Sequence, residues 1–158
     1  MLPGDSQVAK EARAIVAARS GDFDQLFESL QQAQDNGANV VVTLYYSPYD
    51  SNQKNCAELE DISNTIVDVL NQELLKRAHQ AGFDVVDFRQ AFSGHGSGSK
   101  EPYVFGTQCK LSSAIGDWAP TWLGGGKSSL GVGFDPHPNN LGTATMANKI
   151  LGEFNNAD

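Results

Sequence analysis

Asn39-Val40-Val41-Val42-Thr43-Leu44-Tyr45-Tyr46 is the stretch on which the fold turns. Its residues are β-branched and aromatic without alternation, the pattern of a strand covered on both faces, as in a parallel sheet. Ser47-Pro48-Tyr49-Asp50-Ser51-Asn52 reads as a polar loop at the strand's carboxyl end. A long helix follows over 57–81, with Leu59, Ile62, Ile66, Leu70 and Leu74 as its apolar stripe and Gly82 as its stop. Phe83-Asp84-Val85-Val86-Asp87-Phe88 is the next strand. Strand, helix and strand over 39–88 make a βαβ crossover, expected to be right-handed. Ligand sites in such sheets lie beyond the carboxyl ends of the strands, here near Tyr46–Asp50 and Arg89–Phe92.

Towards the N-terminus, residues 7–35 read as two helices. Gln7 to Arg19 is alanine-rich, with Ser6 as a natural N-cap and Ser20-Gly21 as the stop. Asp22-Phe23-Asp24-Gln25 resembles a capping box for a second helix over 23–35, which puts Phe23, Leu26, Phe27, Leu30 and Ala33 on one face. Asn36-Gly37 ends it. Towards the C-terminus, residues 93–133 lose periodicity and are rich in Gly and Ser, with Tyr103, Phe105, Trp118 and Trp122 interspersed. Such a segment is usually a functional lid or a flexible excursion, and its aromatics either line an apolar cleft or pack the loop onto the body. A last helix over 140–154 presents Leu141, Ala144, Ala147, Leu151 and Phe154. The whole chain, 1–158, reads as a single α/β domain without internal repeats.

Composition narrows the function classes. Eleven basic against nineteen acidic residues leave a net charge of −8, with no basic stripe. That disfavours nucleic acid and anionic membranes as partners, and no run approaches the length of a membrane span. Cys56 and Cys109 both sit in loop-like context. Paired, they would close a long loop and stabilise by roughly 4 kcal/mol in the chain-entropy model. An even count in the loops of an acidic, lysine-poor chain points to an exported product; the alternative is two unrelated free thiols.

Near the C-terminus, Gly133-Phe134-Asp135-Pro136-His137-Pro138-Asn139-Asn140-Leu141-Gly142 sets a carboxylate and a histidine two residues apart, just before the last helix. Prolines on both sides of His137 fix φ and stiffen the turn. An imidazole held beside an acid suits a general base, because the carboxylate sets the tautomer and stabilises the imidazolium. A solvated Asp-Pro turn at a helix start is the plainer alternative. Other signals carry less. Gly124-Gly125-Gly126-Lys127-Ser128 hints at a phosphate loop, but the first glycine of that pattern would fall on Thr121, and no strand and helix flank it. His79, His95 and His137 have no metal-ligand spacing, and nothing calls for a cofactor.

Taken in order, Val40 to Pro48, Leu70-Asn71 with Leu74 on the long helix, Gly82 to Asp87, Ala91-Phe92-Ser93-Gly94-His95 and the Asp-x-His-Pro-Asn-x-x-Gly block resemble the SGNH (GDSL-type) esterases and lipases. The likeness runs from about Phe23 to the end. It implies an α/β fold of three αβα layers, flavodoxin-like with a parallel sheet, here incomplete at the N-terminus. It also implies hydrolysis of small-molecule or lipid carboxylic esters, with a serine nucleophile, His137 as base and Asp135 as the orienting acid. Two departures stand out. The family's usual spacing is Asp-x-x-His, whereas Asp135 lies two before His137. Gly4-Asp5-Ser6 matches the nucleophile tripeptide, but only Met1-Leu2-Pro3 precedes it, and no Gly-x-Asn-Asp block follows. Ser6 is therefore either the nucleophile or a helix N-cap. Two further expectations follow: a non-catalytic binding module of the same fold, or a site completed by a missing N-terminal segment or a homo-oligomer.

Overall fold

Val41–Leu44 forms β1 and Asp84–Asp87 forms β2 in the computed structural model, which describes residues 6–49, 57–96, 99–101, 103–104 and 138–155. The two strands pair in parallel, with Val41, Val42, Thr43 and Leu44 opposite Asp84, Val85, Val86 and Asp87. Parallel pairing needs a crossover, and the chain makes it with one 25-residue helix, which we number α3 in the order below. The chain is thus of the α/β class. Ahead of β1 lie helices α1 (Gln7–Ala18) and α2 (Ser20–Asp35). Helix α3 spans Ala57–Ala81, α4 spans Phe88–Phe92, and α5 spans Asn140–Asn155. No helix among the described residues is long and apolar enough to cross a membrane.

The described residues fall into two compact units. One holds those up to Tyr45, Thr65–Arg89, and those from Lys149 onward; the other holds those of Tyr46–Asn64 and Gln90–Asn148. The first unit is built around the strands. Val42, Leu44, Phe27, Leu74, Ala78 and Phe83 form its buried cluster, with Phe23, Leu30, Leu70, Leu75 and Val85 packed against it. Each Val or Leu taken out of water here contributes about 1.5–3 kcal/mol, and Phe27 stacks on Phe83 at 5.9 Å. Val86 faces the other side of the sheet and is also buried, so both faces are covered at the centre of β2. The cover is uneven along the strands, because Asp84 and Asp87 are exposed and Val41 and Thr43 only half-buried.

Both helix-to-strand turns are solved in the same way. Gly37 (φ 90) follows α2, and Ala38 N–H donates to Ala33 O at 3.0 Å while Gly37 N–H donates to Gln34 O at 2.8 Å. Gly82 (φ 72) follows α3, and Phe83 N–H donates to Ala78 O at 2.9 Å. These are Schellman ends, in which a left-handed glycine satisfies the last carbonyls of the helix. They deliver the chain directly into β1 and β2.

Two boundaries differ from expectation. Ser20-Gly21 does not separate α1 from α2; both residues are helical, and the break is the single residue Arg19 (φ −101, ψ 12). Arg19 bonds Asp22 at 3.0 Å, so the acid expected as a cap lies inside the first turn. Leu26 and Ile66, expected on buried faces, are about half exposed. Arg77 ties α3 to α2: it pairs with Glu73 at 2.6 Å and with Asp24, bonds Ser20 Oγ at 3.0 Å, and lies over the ring of Phe23. The Asp24 and Glu73 hydrogen bonds raise its pKa above the ordinary guanidinium value.

At the carboxyl end of β1 a side chain takes the place of a neighbouring strand. The Asn71 amide donates from Nδ2 to Tyr45 O and accepts at Oδ1 from Tyr45 N–H, both at 2.8 Å. Asn71 is buried, and its amide presents one donor and one acceptor in the spacing of a peptide group. The last backbone groups of the strand are satisfied where pairing with β2 has stopped.

Candidate functional site

The sequence places the candidate site after the strands, and the second unit begins there on both occasions, at Tyr46 and at Gln90. Ser47 is buried and donates to Ser63 Oγ on α3 at 2.9 Å. Tyr49 is buried as well, and loss of solvation pushes its phenol up to about 12, because burial disfavours the phenolate. Asp87 Oδ1 accepts from Arg89 N–H at 2.8 Å, the N-cap contact that starts α4 directly after β2. This short helix was not expected. A single turn leaves no readable periodicity, although the Asp cap is a signal that could have revealed it.

Helix α4 ends on Phe92, which is 1 % exposed, and Gly94 (φ 76) turns the chain so that His95 N–H reaches Phe92 O at 2.9 Å. The aromatic side chains then form a continuous stack. Tyr46 lies on Phe92 at 4.1 Å, Phe92 meets Tyr103 edge-on at 5.3 Å, and Tyr103 lies flat on the His95 imidazole at 3.9 Å and 10°. His95 Nδ1 is 2.8 Å from Glu101 O. A carbonyl oxygen only accepts, so Nδ1 carries the hydrogen and Nε2 keeps the lone pair in the neutral ring.

Tyr103 and Val104 form the seat for the start of α5. Tyr103 N–H donates to His95 O at 2.7 Å. Val104, 1 % exposed, makes an antiparallel bridge with Pro138. Asn139 then bonds in two directions. Its N–H donates to Tyr103 O at 2.9 Å and its Nδ2 donates to Val104 O at 3.3 Å. Its Oδ1 accepts from Leu141 N–H at 2.9 Å and Gly142 N–H at 3.0 Å, capping α5. Gly142 is required by space rather than by φ: a Cβ there would stand 2.1 Å from Tyr103 O and 3.2 Å from the Phe92 ring.

Of the residues predicted from sequence, Ser6 is described, and its Oγ accepts from Ala9 N–H at 3.1 Å as the N-cap of α1. A hydroxyl that accepts one bond still has its hydrogen to donate. Asp135 and His137 lie outside the described residues, as do Cys56, Cys109, Phe105, Trp118 and Trp122. What the structure does place is the second half of their motif: Pro138, Asn139 and Gly142 each have a distinct structural task against residues 103 and 104. Sequence reading takes Pro138 only as a proline that fixes φ beside His137, and Asn139 and Gly142 only as parts of a pattern. Asn immediately before a helix is an N-cap signal, and glycine inside a first helical turn, about 1 kcal/mol worse than alanine, signals a close approach. Tyr103 is legible in the sequence only as one of the loop's aromatics; its contact with Asn139 has no signal, because it comes from a backbone group. Among the described residues no three acidic, histidine or cysteine side chains gather as a metal site. No protein-family model, curated protein or solved structure matches the chain.

Proposed function

We propose that the chain is a carboxylic ester hydrolase of the SGNH type, its parallel strand pair belonging to a three-layer αβα sheet. A serine oxygen attacks the ester carbonyl while His137 takes the hydroxyl proton. The tetrahedral oxyanion collapses to an acyl-enzyme, and His137 returns the proton to the departing alcohol. Water then repeats the cycle and releases the acid. Asp135 orients the imidazole and stabilises its charged form. No cofactor enters these steps. The cysteines and the acidic composition fit an exported enzyme.

The observation that carries this reading is the built setting of the Pro138-Asn139-x-x-Gly142 half of the motif. A solvated turn has no need of a glycine under a tyrosine carbonyl or of an asparagine bonded in two directions. The second reading, a binding module of the same fold, draws on Ser6, whose oxygen is engaged in capping α1. Hydrolysis of a short-chain chromogenic ester separates the two, with fluorophosphonate labelling in parallel. His137→Ala is expected to abolish turnover, and full activity in that variant would end the proposed mechanism. Ser6→Gly keeps helix capping to within a few tenths of a kcal/mol, so loss of labelling in it identifies Ser6 as the nucleophile. Retained labelling places the nucleophile on another serine, and no labelling of the unaltered protein favours the binding module.

A further inference from the structure

We propose that the outer edge of β1 is a docking surface for a second copy of this chain, the two β1 strands pairing antiparallel across a two-fold axis perpendicular to the sheet. The inference rests on the strands and does not depend on the ester-hydrolase reading. The sheet among the described residues has two strands, fewer than the roughly 4–6 usual in folded domains. Each strand therefore turns one edge away from the other. Among the described residues, the backbone of β1 bonds to β2 alone, and Tyr45 just beyond it to Asn71. An open edge is a template for another strand, and proteins blunt it with charge, proline or a bulge. β1 has none of these: Val41-Val42-Thr43-Leu44 runs in unbroken register with β2, and residues 36–49 carry no charge. Val41 and Thr43, which share one face of the sheet, are only half-buried, as befits a strand with no neighbour on that side.

Charge selects both the edge and the occupant. β2 carries an exposed acid at each end, Asp84 and Asp87. Two copies meeting along β2 would bring these carboxylates together, and like charges near one another across a strand pair are destabilising. In a chain of net charge −8 two copies repel over much of their surface, whereas along β1 they meet with no like charges opposed. An axis perpendicular to the sheet keeps each sheet face on the same side in both copies, so buried positions stay buried. It sets Val42 opposite Val42 when it passes at that residue, or Thr43 opposite Thr43 when it passes at the next. Either register gives one continuous sheet in the order β2-β1-β1-β2, antiparallel at its centre and parallel on both flanks.

Sedimentation of the unaltered protein is expected to give twice the mass of the chain. A monomer at about 100 μM, a concentration that populates even weak complexes, overturns the proposal. Thr43→Lys and Thr43→Glu each place like charges directly opposite or diagonal to one another in both registers. Each variant is expected to dimerise several-fold more weakly, and an equimolar mixture of the two to recover the dimer. A dimer indifferent to both substitutions has its interface elsewhere and overturns the proposal. Hydrogen exchange of the unaltered protein decides the matter even where neither variant folds. The outward amides of Val41–Leu44 are expected to gain protection as concentration rises through the dimer range. Exchange that stays constant while the mass doubles overturns the strand pairing. A monomer in which all these amides are protected shows another part of the chain on this edge, and overturns it equally.

Discussion

Replacing Asn71 tests whether a side chain really substitutes for a strand at the end of β1. Asn71→Ala removes two hydrogen bonds of 2.8 Å and leaves the N–H and C=O of Tyr45 without these partners. A typical net hydrogen bond contributes about 0.5–1.5 kcal/mol, and a buried group left unpaired costs about 1–3 kcal/mol. Tyr45 is 57 % exposed, so water can reach part of its backbone, and the lower end applies. We expect a loss of about 2–3 kcal/mol, read from urea unfolding as a lower midpoint at unchanged slope. For a chain of this size the same loss lowers Tm by roughly 4–12 °C.

Asn71→Asp refines the test. Ionised, it still accepts from Tyr45 N–H but sets a carboxylate oxygen against Tyr45 O; protonated, it regains a donor. Folding then favours the protonated acid, which raises its pKa above the unfolded value of about 4. The deficit relative to the unaltered protein should shrink as pH falls through that raised pKa and be full above it. A loss under about 0.5 kcal/mol in Asn71→Ala would refute the reasoning, as would a pH-independent deficit in Asn71→Asp.

Glycine positions give a prediction with opposite signs. Gly142→Ala drives a Cβ to 2.1 Å from the backbone oxygen of Tyr103 and should destabilise by several kcal/mol, whereas Gly152→Ala on the same helix meets nothing within 4 Å. The latter should gain about 0.5–1 kcal/mol from helix propensity, and thermal melts of the pair decide the matter. Burial pushes the Tyr49 phenol up to about 12. The unfolded phenol titrates at about 10, so its contribution is intact below pH 10 and is lost as pH rises from about 10 to 12. Tyr49→Phe should flatten the decline in stability over that window, checked by unfolding at fixed alkaline pH.

Local chemistry written along the chain determined much of what is seen. The Val40–Leu44 run became β1, Gly82 ended α3 at Ala81, and the turn before Leu141 opened the last helix at Asn140. Each depends on neighbours in sequence: β-branching, a glycine free to take positive φ, a cap beside the helix it caps. Ser20-Gly21 was misread because both residues, unfavourable as they are within helices, are tolerated in a first turn, and Arg19 supplied the break. Tertiary structure alone decided which polar groups meet across long separations. Asn71 on the Tyr45 backbone, Asn139 on Val104, and Gly142 beneath Tyr103 each join residues at least 26 positions apart. No periodicity encodes such pairs, because their partners are backbone groups that every residue carries, and only the folded chain selects which of those groups come within reach.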